Sequence, residues 1–507
     1  MAADGAQYLL PDALDVAALA AHLTVESDAA RPADRTFYDT FDGRLHAAGL
    51  AMVHEGDRLA LVDGTTYAEH AGIDREAPPE RLLASDVPDG PLRSLLEPIV
   101  EVRALIPLAR VRGRRRALRV LNEDAKTVVR LAIDAPALVV DGRRRVPLRA
   151  RLEVVPVRGY DADLARVCST LERDLGVVAT GVALHDEAVA AAGGAPAGVS
   201  SKPAVAIRPD QRADSAAAAI LTSLVGVIEA NVPGALADLD SEFLHDLRVA
   251  VRRSRSLQRQ LRRAFPPAPL ERFRAEFRRL QQATGAARDL DVYLLEFDRF
   301  ATAVGPDIEP LRRVLEERRT DAHRRMRRAL RSARTKRLLA DWAAFLEELV
   351  EAPEEDRADA TRPIREVAGR RIRRVYRRMV EAGSAIDDAS PPAALHDLRK
   401  QGKELRYLLE FFADLYPTEV VKPMVRTLKT LQDTLGRFQD REVQAETLRA
   451  MRDDVAAIED GAAALMAMGL LIDRLATEQA EARAEFAERF GAFAAKRQRR
   501  LVKDTFG

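Results

Sequence analysis

Residues 244–261 read LHDLRVAVRRSRSLQRQL, and residues 395–412 read LHDLRKQGKELRYLLEFF. Further along, LQQATGAARDLDVYL at Leu280 returns as LQDTLGRFQDREVQA at Leu431, with Gly285 over Gly436 and Asp289 over Asp440. Both pairs lie 151 residues apart without a gap, which chance likeness between two Arg-rich helices does not produce. The chain therefore holds two homologous helical halves, expected near residues 213–350 and 362–500 and related by a pseudo-twofold axis.

Outward from this repeat, long amphipathic stretches are interrupted at Pro266-Pro267, Gly305-Pro306, Pro353, Pro391-Pro392 and Pro417, the residues that end or start helices. No strand signal occurs among them, so the region from residue 213 to 507 is expected to be all-α bundles. Upstream, residues 190–211 read AAAGGAPAGVSSKPAVAIRPDQ, too poor in periodic hydrophobics for an element, and a linker is expected over 190–212. Residues 1–189 alternate short β-branched runs with turn signals: TFYDTFDG, RLALVDGTTY, LIPLARVRGRRRALRVL, TVVRLAID and ALVVDGRRRVPLRARLEVVPV. That pattern predicts an antiparallel α+β domain with helices near Leu14–Leu23 and Asp161–Leu175.

Composition sets the frame. Of 507 residues 47% are hydrophobic, 31% charged and 5% aromatic, enough to bury cores in two or three domains and tilted toward helix. Cys168 is the sole cysteine, so no intrachain disulfide framework exists and a reducing compartment is expected. The N-terminus lacks a basic region followed by an apolar run, and no stretch of about 18 uncharged apolar residues appears, which predicts neither export nor a membrane span. Net charge is +1, yet residues 1–100 hold 7 Lys/Arg against 18 Asp/Glu while residues 241–340 hold 25 against 13. An anionic partner for the helical region follows.

On a helical wheel His245, Arg248, Arg252, Arg255 and Arg259 fall within roughly 80°, a stripe about 21 Å long. Leu244, Leu247, Val251 and Leu261 lie beside or opposite it, free to pack in a bundle. The repeat helix carries His396, Arg399, Lys403 and Arg406 against Leu395, Leu398, Leu405, Leu409 and Phe412. Such charge is ordinarily a solvated face paired with Glu at i+4. Here Arg248 to Arg263 contain seven Arg and no acid, and like charges three or four apart cost a few tenths of a kcal/mol per pair, which favours an anionic ligand. The two histidines open the stripes as phosphate donors or pH-dependent charges, and no HExxH or Cys/His spacing marks them as metal ligands. The arginines at 324, 327, 328, 331 and 334, and at 370, 371, 374, 377 and 378, surround their helices and are expected only to build field.

The two LHDLR helices, each followed by LQxxxG and a late Asp, resemble the CHAD family, the conserved-histidine α-helical domain, over about residues 213–500. The resemblance implies two pseudo-symmetric four-helix bundles with a basic central groove or pore that binds inorganic polyphosphate. By matching position it places His245, Arg248, Arg252, Arg255, His396, Arg399, Lys400, Lys403 and Arg406 against the ligand. Lys400 is the member that the wheel leaves off the stripe, and Arg259 comes from the wheel alone.

TFYDTFDGRLHAAGLAMV and RLEVVPVRG are similar to segments of the CYTH, or triphosphate-tunnel, fold, which implies an antiparallel β-barrel or tunnel over residues 1–189. Active members begin with ExExK. Ala3, Gly5 and Gln7 stand there in this chain, Glu153 is kept but Val155 replaces a second acid, and Met52 and His54 replace basic residues. Without paired carboxylates a divalent ion has little to hold it, so a catalytically degenerate domain is expected. Arg110, Arg112, Arg114 and Arg116 alternate along one strand and would share a face, either an anion tunnel or an exposed edge.

These readings converge on non-enzymatic polyphosphate binding, with no catalytic residue, metal or cofactor, in a cytoplasmic protein that such a ligand would bring to polyphosphate granules. The helical region contains no GxxxxGK[ST] phosphate loop and no nucleophile–base pair. The alternatives are a metal-dependent triphosphatase or polyphosphatase in the N-terminal domain, and nucleic-acid binding by the basic helices. The latter is disfavoured because the stripes hold no stacking aromatic, although Tyr407 adjoins one.

Overall fold

The computed structural model describes residues 6–11, 15–201 and 205–507, and the chain divides into two compact units, Met1–Ser200 and Ser201–Gly507.

The first unit is built on an antiparallel sheet. Its strands are β1 (Ala6–Leu9), β2 (Val25–Ser27), β3 (Arg31–Thr40), β4 (Leu50–Glu55), β5 (Arg58–Asp63), β6 (Glu69–Asp74), β7 (Leu105–Leu121), β8 (Thr127–Val140), β9 (Arg144–Pro147), β10 (Arg151–Pro156) and β11 (Val178–Ala179). They run in the order β11-β1-β10-β8-β7-β3-β4-β5-β6, with β2 beside β7 and β9 beside β8. The segment LIPLARVRGRRRALRVL is β7 from end to end. Its late half shows why it is a strand: Leu118 and Val120 are buried while Arg119 between them is exposed, the period-two alternation of a half-buried strand. The sheet curls enough for Gln7 on β1 to donate to the Thr65 carbonyl beyond β5 at 3.1 Å.

Five helices accompany the sheet: α1 (Val16–Ala20), α2 (Arg44–Ala47), α3 (Pro91–Val100), α4 (Asp161–Arg173) and α5 (Leu184–Ala191). Two fall where periodicity places them, though Leu14 of the expected first helix lies outside the described residues. α2 has four residues, and α3 carries prolines at 91 and 98, so neither offers a periodic run to read. Part of the expected linker is not free chain. α5 continues through Ala191, and Val199 donates to Phe41. Gly43 and Gly198, both at φ 71°, meet backbone to backbone there; a Cβ on Gly43 would lie 2.4 Å from the Ala197 oxygen. Only glycine allows that approach.

The second unit is all helical. Its first half runs α6 (Ala213–Ala237), α7 (Ser241–Gln260), α8 (Pro267–Ala283), α9 (Gly285–Leu295), α10 (Phe297–Val304), α11 (Glu309–Arg331) and α12 (Ala333–Glu348). Its second half runs α13 (Ile364–Ser384), α14 (Pro392–Phe411), α15 (Thr418–Ala450), α16 (Arg452–Ala456), α17 (Gly461–Phe493) and α18 (Lys496–Thr505). The 151-residue offset governs the elements themselves: α13, α14 and α15 begin that far after α6, α7 and α8, and α14 ends that far after α7. Each α7 or α14 start has its own local cause. Asp240 caps α7 by accepting from the Glu242 and Phe243 amides, and Pro392 opens α14 where an amide would be unpaired anyway. The halves differ after LQxxxG. The Thr284 hydroxyl bonds back to the Leu280 and Gln281 carbonyls and separates α8 from α9, whereas Leu435 at the matching place lets α15 run on.

α6 is long and apolar enough to cross a membrane. It is instead a core helix, with Ile220, Leu221, Leu224 and Ile228 almost wholly buried. The halves share a core as well. Tyr293, Phe297, Phe300, Leu311 and Leu315 pack with Leu448, Met451, Leu471 and Leu475 in one cluster, so neither half closes its apolar surface alone.

Candidate functional site

α7 and α14 meet through two ion pairs. Arg253 on α7 reaches Glu410 on α14 at 2.7 Å, and Arg259 reaches Glu404 at 2.6 Å. The partners run in opposite order, so the helices cross antiparallel. Under the repeat Arg253 corresponds to Glu404 and Arg259 to Glu410; each ion pair is therefore the image of the other. The pseudo-twofold axis passes between these helices, and opposite charges at matched positions hold the crossing together.

Two concave grooves flank the crossing. One, of about 440 Å³, is lined by Arg252, Arg255 and Arg259 of α7, Arg274 and Arg278 of α8, and Lys400 and Lys403 of α14. The other, of about 530 Å³, is lined by His245, Arg252, Arg399, Lys403 and Arg406, with Arg437, Asp433 and Asp440 from α15. Arg252, Lys403 and Tyr407 belong to both walls.

Of the ten residues singled out from sequence, eight line a groove. Arg248 and His396 line neither. Arg248 turns back against α8, donating to the Gln281 carbonyl at 2.9 Å and the Thr284 hydroxyl at 3.0 Å. His396 Nδ1 meets Gln439 Oε1. Several of the eight are already engaged: Arg259 by Glu404, Arg399 by Asp440 at 3.0 Å, Lys400 by Asp397 at 3.0 Å and Arg406 by Glu410 at 2.7 Å. The acid-free run from Arg248 to Arg263 does not stay acid-free in space, because Glu404 and Glu410 arrive from the other half.

What stays uncompensated is the shared wall. Among the described residues neither Arg252 nor Lys403 has a carboxylate within 4.0 Å, and Arg252 Nε is buried without a hydrogen-bond partner. Burial, reinforced by Arg399 and Arg252, pushes the Lys403 ammonium down to about 7. Burial first, then Arg278, Arg259 and Arg274, likewise lowers the Arg255 guanidinium from its ordinary value. Crowding these cations into a partly dry recess leaves their charge costly in the absence of a counter-anion. Sequence reasoning missed Arg274 and Arg278, although they step along α8 at 274, 278 and 281 toward Gln281, because α8 lies outside the LHDLR repeat and its arginines join the stripe only in the folded bundle.

The sheet unit encloses a cavity of about 260 Å³, lined by Arg35, Arg58, Arg115 and Arg151 together with Glu55, Glu69, Asp134 and Glu153. Its cations are spent on its acids: Arg35 on Asp134 at 2.5 Å, Arg58 on Glu69 at 2.6 Å, Arg115 on Glu153. Arg151 is taken by Glu187. Burial raises the Glu153 carboxyl against the pull of Arg115 and Arg35. No group of three or more His, Cys, Asp or Glu among the described residues is placed to hold a metal ion. With their carboxylates bound to guanidinium groups, these residues do not fit a divalent cation. The stripe of Arg110, Arg112, Arg114 and Arg116 stands outside this cavity, which takes Arg115 from the alternate register of β7. Arg112 pairs instead with Asp34 at 3.0 Å. Met52 is wholly buried and His54 bonds the Arg75 carbonyl at 2.8 Å. Ala3 and Gly5 lie outside the described residues, and Gln7 lines the cavity.

The CHAD domain family profile matches residues 219–449. A crystal structure of the CHAD domain from the plant Ricinus communis aligns with a TM-score of 0.50 at 24% identity, over 57% of this chain and 96% of its own, a likeness of fold. PptA from Streptomyces chartreusis aligns at 19% identity with a TM-score of 0.43, over 55% of this chain and 99% of its own. Two uncharacterized proteins of Mycobacterium tuberculosis, MT2285 of strain CDC 1551 / Oshkosh and Rv2226 of strain ATCC 25618 / H37Rv, are each 32% identical over 216 residues. That match spans 41% of this chain and 40% of theirs.

Proposed function

We propose that the CHAD domain carried by residues 219–449 binds inorganic polyphosphate, without turnover, in the two grooves that flank the α7–α14 crossing. The observation that carries this reading is the wall of Arg252 and Lys403, repeat mates that face both grooves and have no carboxylate partner among the described residues. A flexible chain with about one charge per phosphate can lie in both grooves and satisfy the two cations at once, gaining from counterion release at each contact. Arg252, Arg255 and Arg278 offer forked donors that match phosphate oxygens, and Lys403 offers a point charge between them.

The test is affinity of the full chain for long-chain polyphosphate across a salt series. Arg252→Ala and Lys403→Ala should each weaken binding about tenfold and lower the salt slope by about one. Arg259→Ala, whose guanidinium is already neutralised by Glu404, should weaken it less than threefold. Equal effects of all three, or none, would sink the assignment.

A further inference from the structure

The arginines of α13, expected from sequence only to build field, are arranged around a second feature. Asp359, almost wholly buried, is shared by Arg263 at 3.8 Å, Arg362 at 3.9 Å and Arg370 at 3.3 Å. Arg371 lies in the same cluster: burial lowers its guanidinium, Asp359 pulls the other way, and Arg374, Arg262 and Arg370 add to the lowering. Four guanidinium groups, three in ion pairs and Arg371 through its field, thus face one buried carboxylate, with Arg262 and Arg374 close to Arg371, which leaves a positive excess around Asp359.

This cluster opens onto a groove of about 800 Å³ between α13 and α18, lined by Arg370, Arg373, Arg374 and Arg377 of one helix and Arg499 and Lys503 of the other. Glu381, paired with Arg377 at 3.7 Å, is the acid among its lining residues. The same helix joins this groove to the α7–α14 site. Arg378 reaches Glu404 at 2.7 Å, the carboxylate that also holds Arg259 and lines the first groove. From Arg378 back to Arg370 is about 12 Å of helix at 1.5 Å per residue, with Arg374 midway.

We propose that the α13–α18 groove is a second phosphate seat for the same polyanion, reached along α13, so that long chains are held at both seats and short ones at the α7–α14 grooves alone. The inference rests on the reading of those grooves as a polyphosphate site. Joining two seats by one flexible ligand makes the second contact intramolecular, and affinity then rises with chain length until the span is covered.

The experiment compares tripolyphosphate with long-chain polyphosphate on the full chain, on Arg373→Gln/Arg374→Gln/Lys503→Gln, and on Arg252→Ala/Lys403→Ala. The three residues of the first variant are exposed and none is in an ion pair recorded among the described residues, so folding should be undisturbed. The expected result is tripolyphosphate affinity within twofold of the parent, long-chain affinity lowered about tenfold, and a long-chain salt slope reduced by about three. Long-chain affinity unchanged in this variant but lost in Arg252→Ala/Lys403→Ala overturns the second seat and leaves the first reading standing. Equal losses for both ligands also overturn it, since the seats would not be separate. Failure of the parent chain to bind either ligand overturns the first reading itself.

Discussion

At the scale of single residues, Lys403 is where charge, burial and ligand meet. It faces Arg252 from α7, Arg399 and Arg406 on its own helix, and Asp440 from α15, and its ammonium is pushed down to about 7 by burial and then by those arginines. The sign follows directly. A lysine whose folded pKa lies below its unfolded one leaves the unfolded chain binding more protons between about pH 7 and the ordinary lysine value, so Lys403 opposes folding below that window and ceases to as pH rises through it. A bound polyanion reverses the preference by stabilising the charged form. Polyphosphate binding is therefore expected to take up a proton above pH 7, with affinity falling from pH 7 to pH 9. Titration calorimetry in buffers of different ionisation enthalpy reads the uptake. Lys403→Arg should remove the pH dependence, because a guanidinium stays charged throughout, and persistence of the slope in that variant would rule Lys403 out as its source. Lys403→Met should lose affinity yet raise the urea midpoint at pH 6, where the buried charge is most costly. Half of this was legible in the sequence: the i, i+4 spacing put Lys403 on the stripe, but its isolation depends on which neighbours find acids, and while Glu410 reaches Arg406 within α14, Asp440 reaches Arg399 from α15, which spacing along one helix does not reveal.

The helix pair α7 and α14 shows the same limit at the scale of elements. Heptad-like apolar spacing, the LHDLR repeat and the prolines at 267 and 392 were enough to place both helices and their common offset. Their mutual pairing was hidden, because it arises from two of the positions where the repeat departs from itself: Arg253 against Glu404, and Arg259 against Glu410 in the alignment of halves. Strictly repeated arginines would put Arg253 opposite the image of Arg259, and Arg259 opposite the image of Arg253, and each pair would repel. Inverting the charge on one side turns that repulsion into the pairs Arg253–Glu410 and Arg259–Glu404. Arg253 is buried, and its guanidinium also donates to the Ser201 carbonyl at 3.0 Å. Removing it with Arg253→Ala should cost about 2 kcal/mol in urea unfolding, less than a fully buried pair because Glu410 keeps part of its surface in water. Glu410→Ala should cost a similar amount, and the double substitution less than the sum of the two, as a shared pair requires. Additive losses would mean that the two side chains act separately. Glu410→Ala has a further consequence, since it also frees Arg406, and long-chain polyphosphate affinity should rise two- to threefold.

Across the whole molecule, the two units use arginine in opposite ways. The sheet unit was legible as alternating strands, and β7 and β8 fall where β-branched runs predict them. The fate of its arginines was not, because register decides it: a shift of one residue along β7 exchanges the row at 110, 112, 114 and 116 for Arg115, and Arg115 is the one that enters the cavity. There each of the four arginines meets a carboxylate, so the cavity is balanced within itself. Among the described residues the helical unit keeps Arg252, Arg278 and Lys403 without such partners. A polyanion gains from unspent cations, whereas to enter the sheet cavity it would first have to displace Asp134, Glu69 and Glu153 from their guanidinium partners, each an exchange of one anion for another with little net gain. Arg115→Gln is accordingly expected to leave long-chain polyphosphate affinity within twofold, in contrast to Arg252→Ala. The same balance bears on chemistry, because carboxylates held by arginine are poor ligands for Mg²⁺ or Mn²⁺ and a metal-assisted attack on phosphate would lack its ion. The full chain given tripolyphosphate with either ion should release no orthophosphate above buffer. Release that disappears in Glu153→Gln would show that the cavity can assemble a metal site, and would move hydrolysis ahead of binding as the work of the sheet unit.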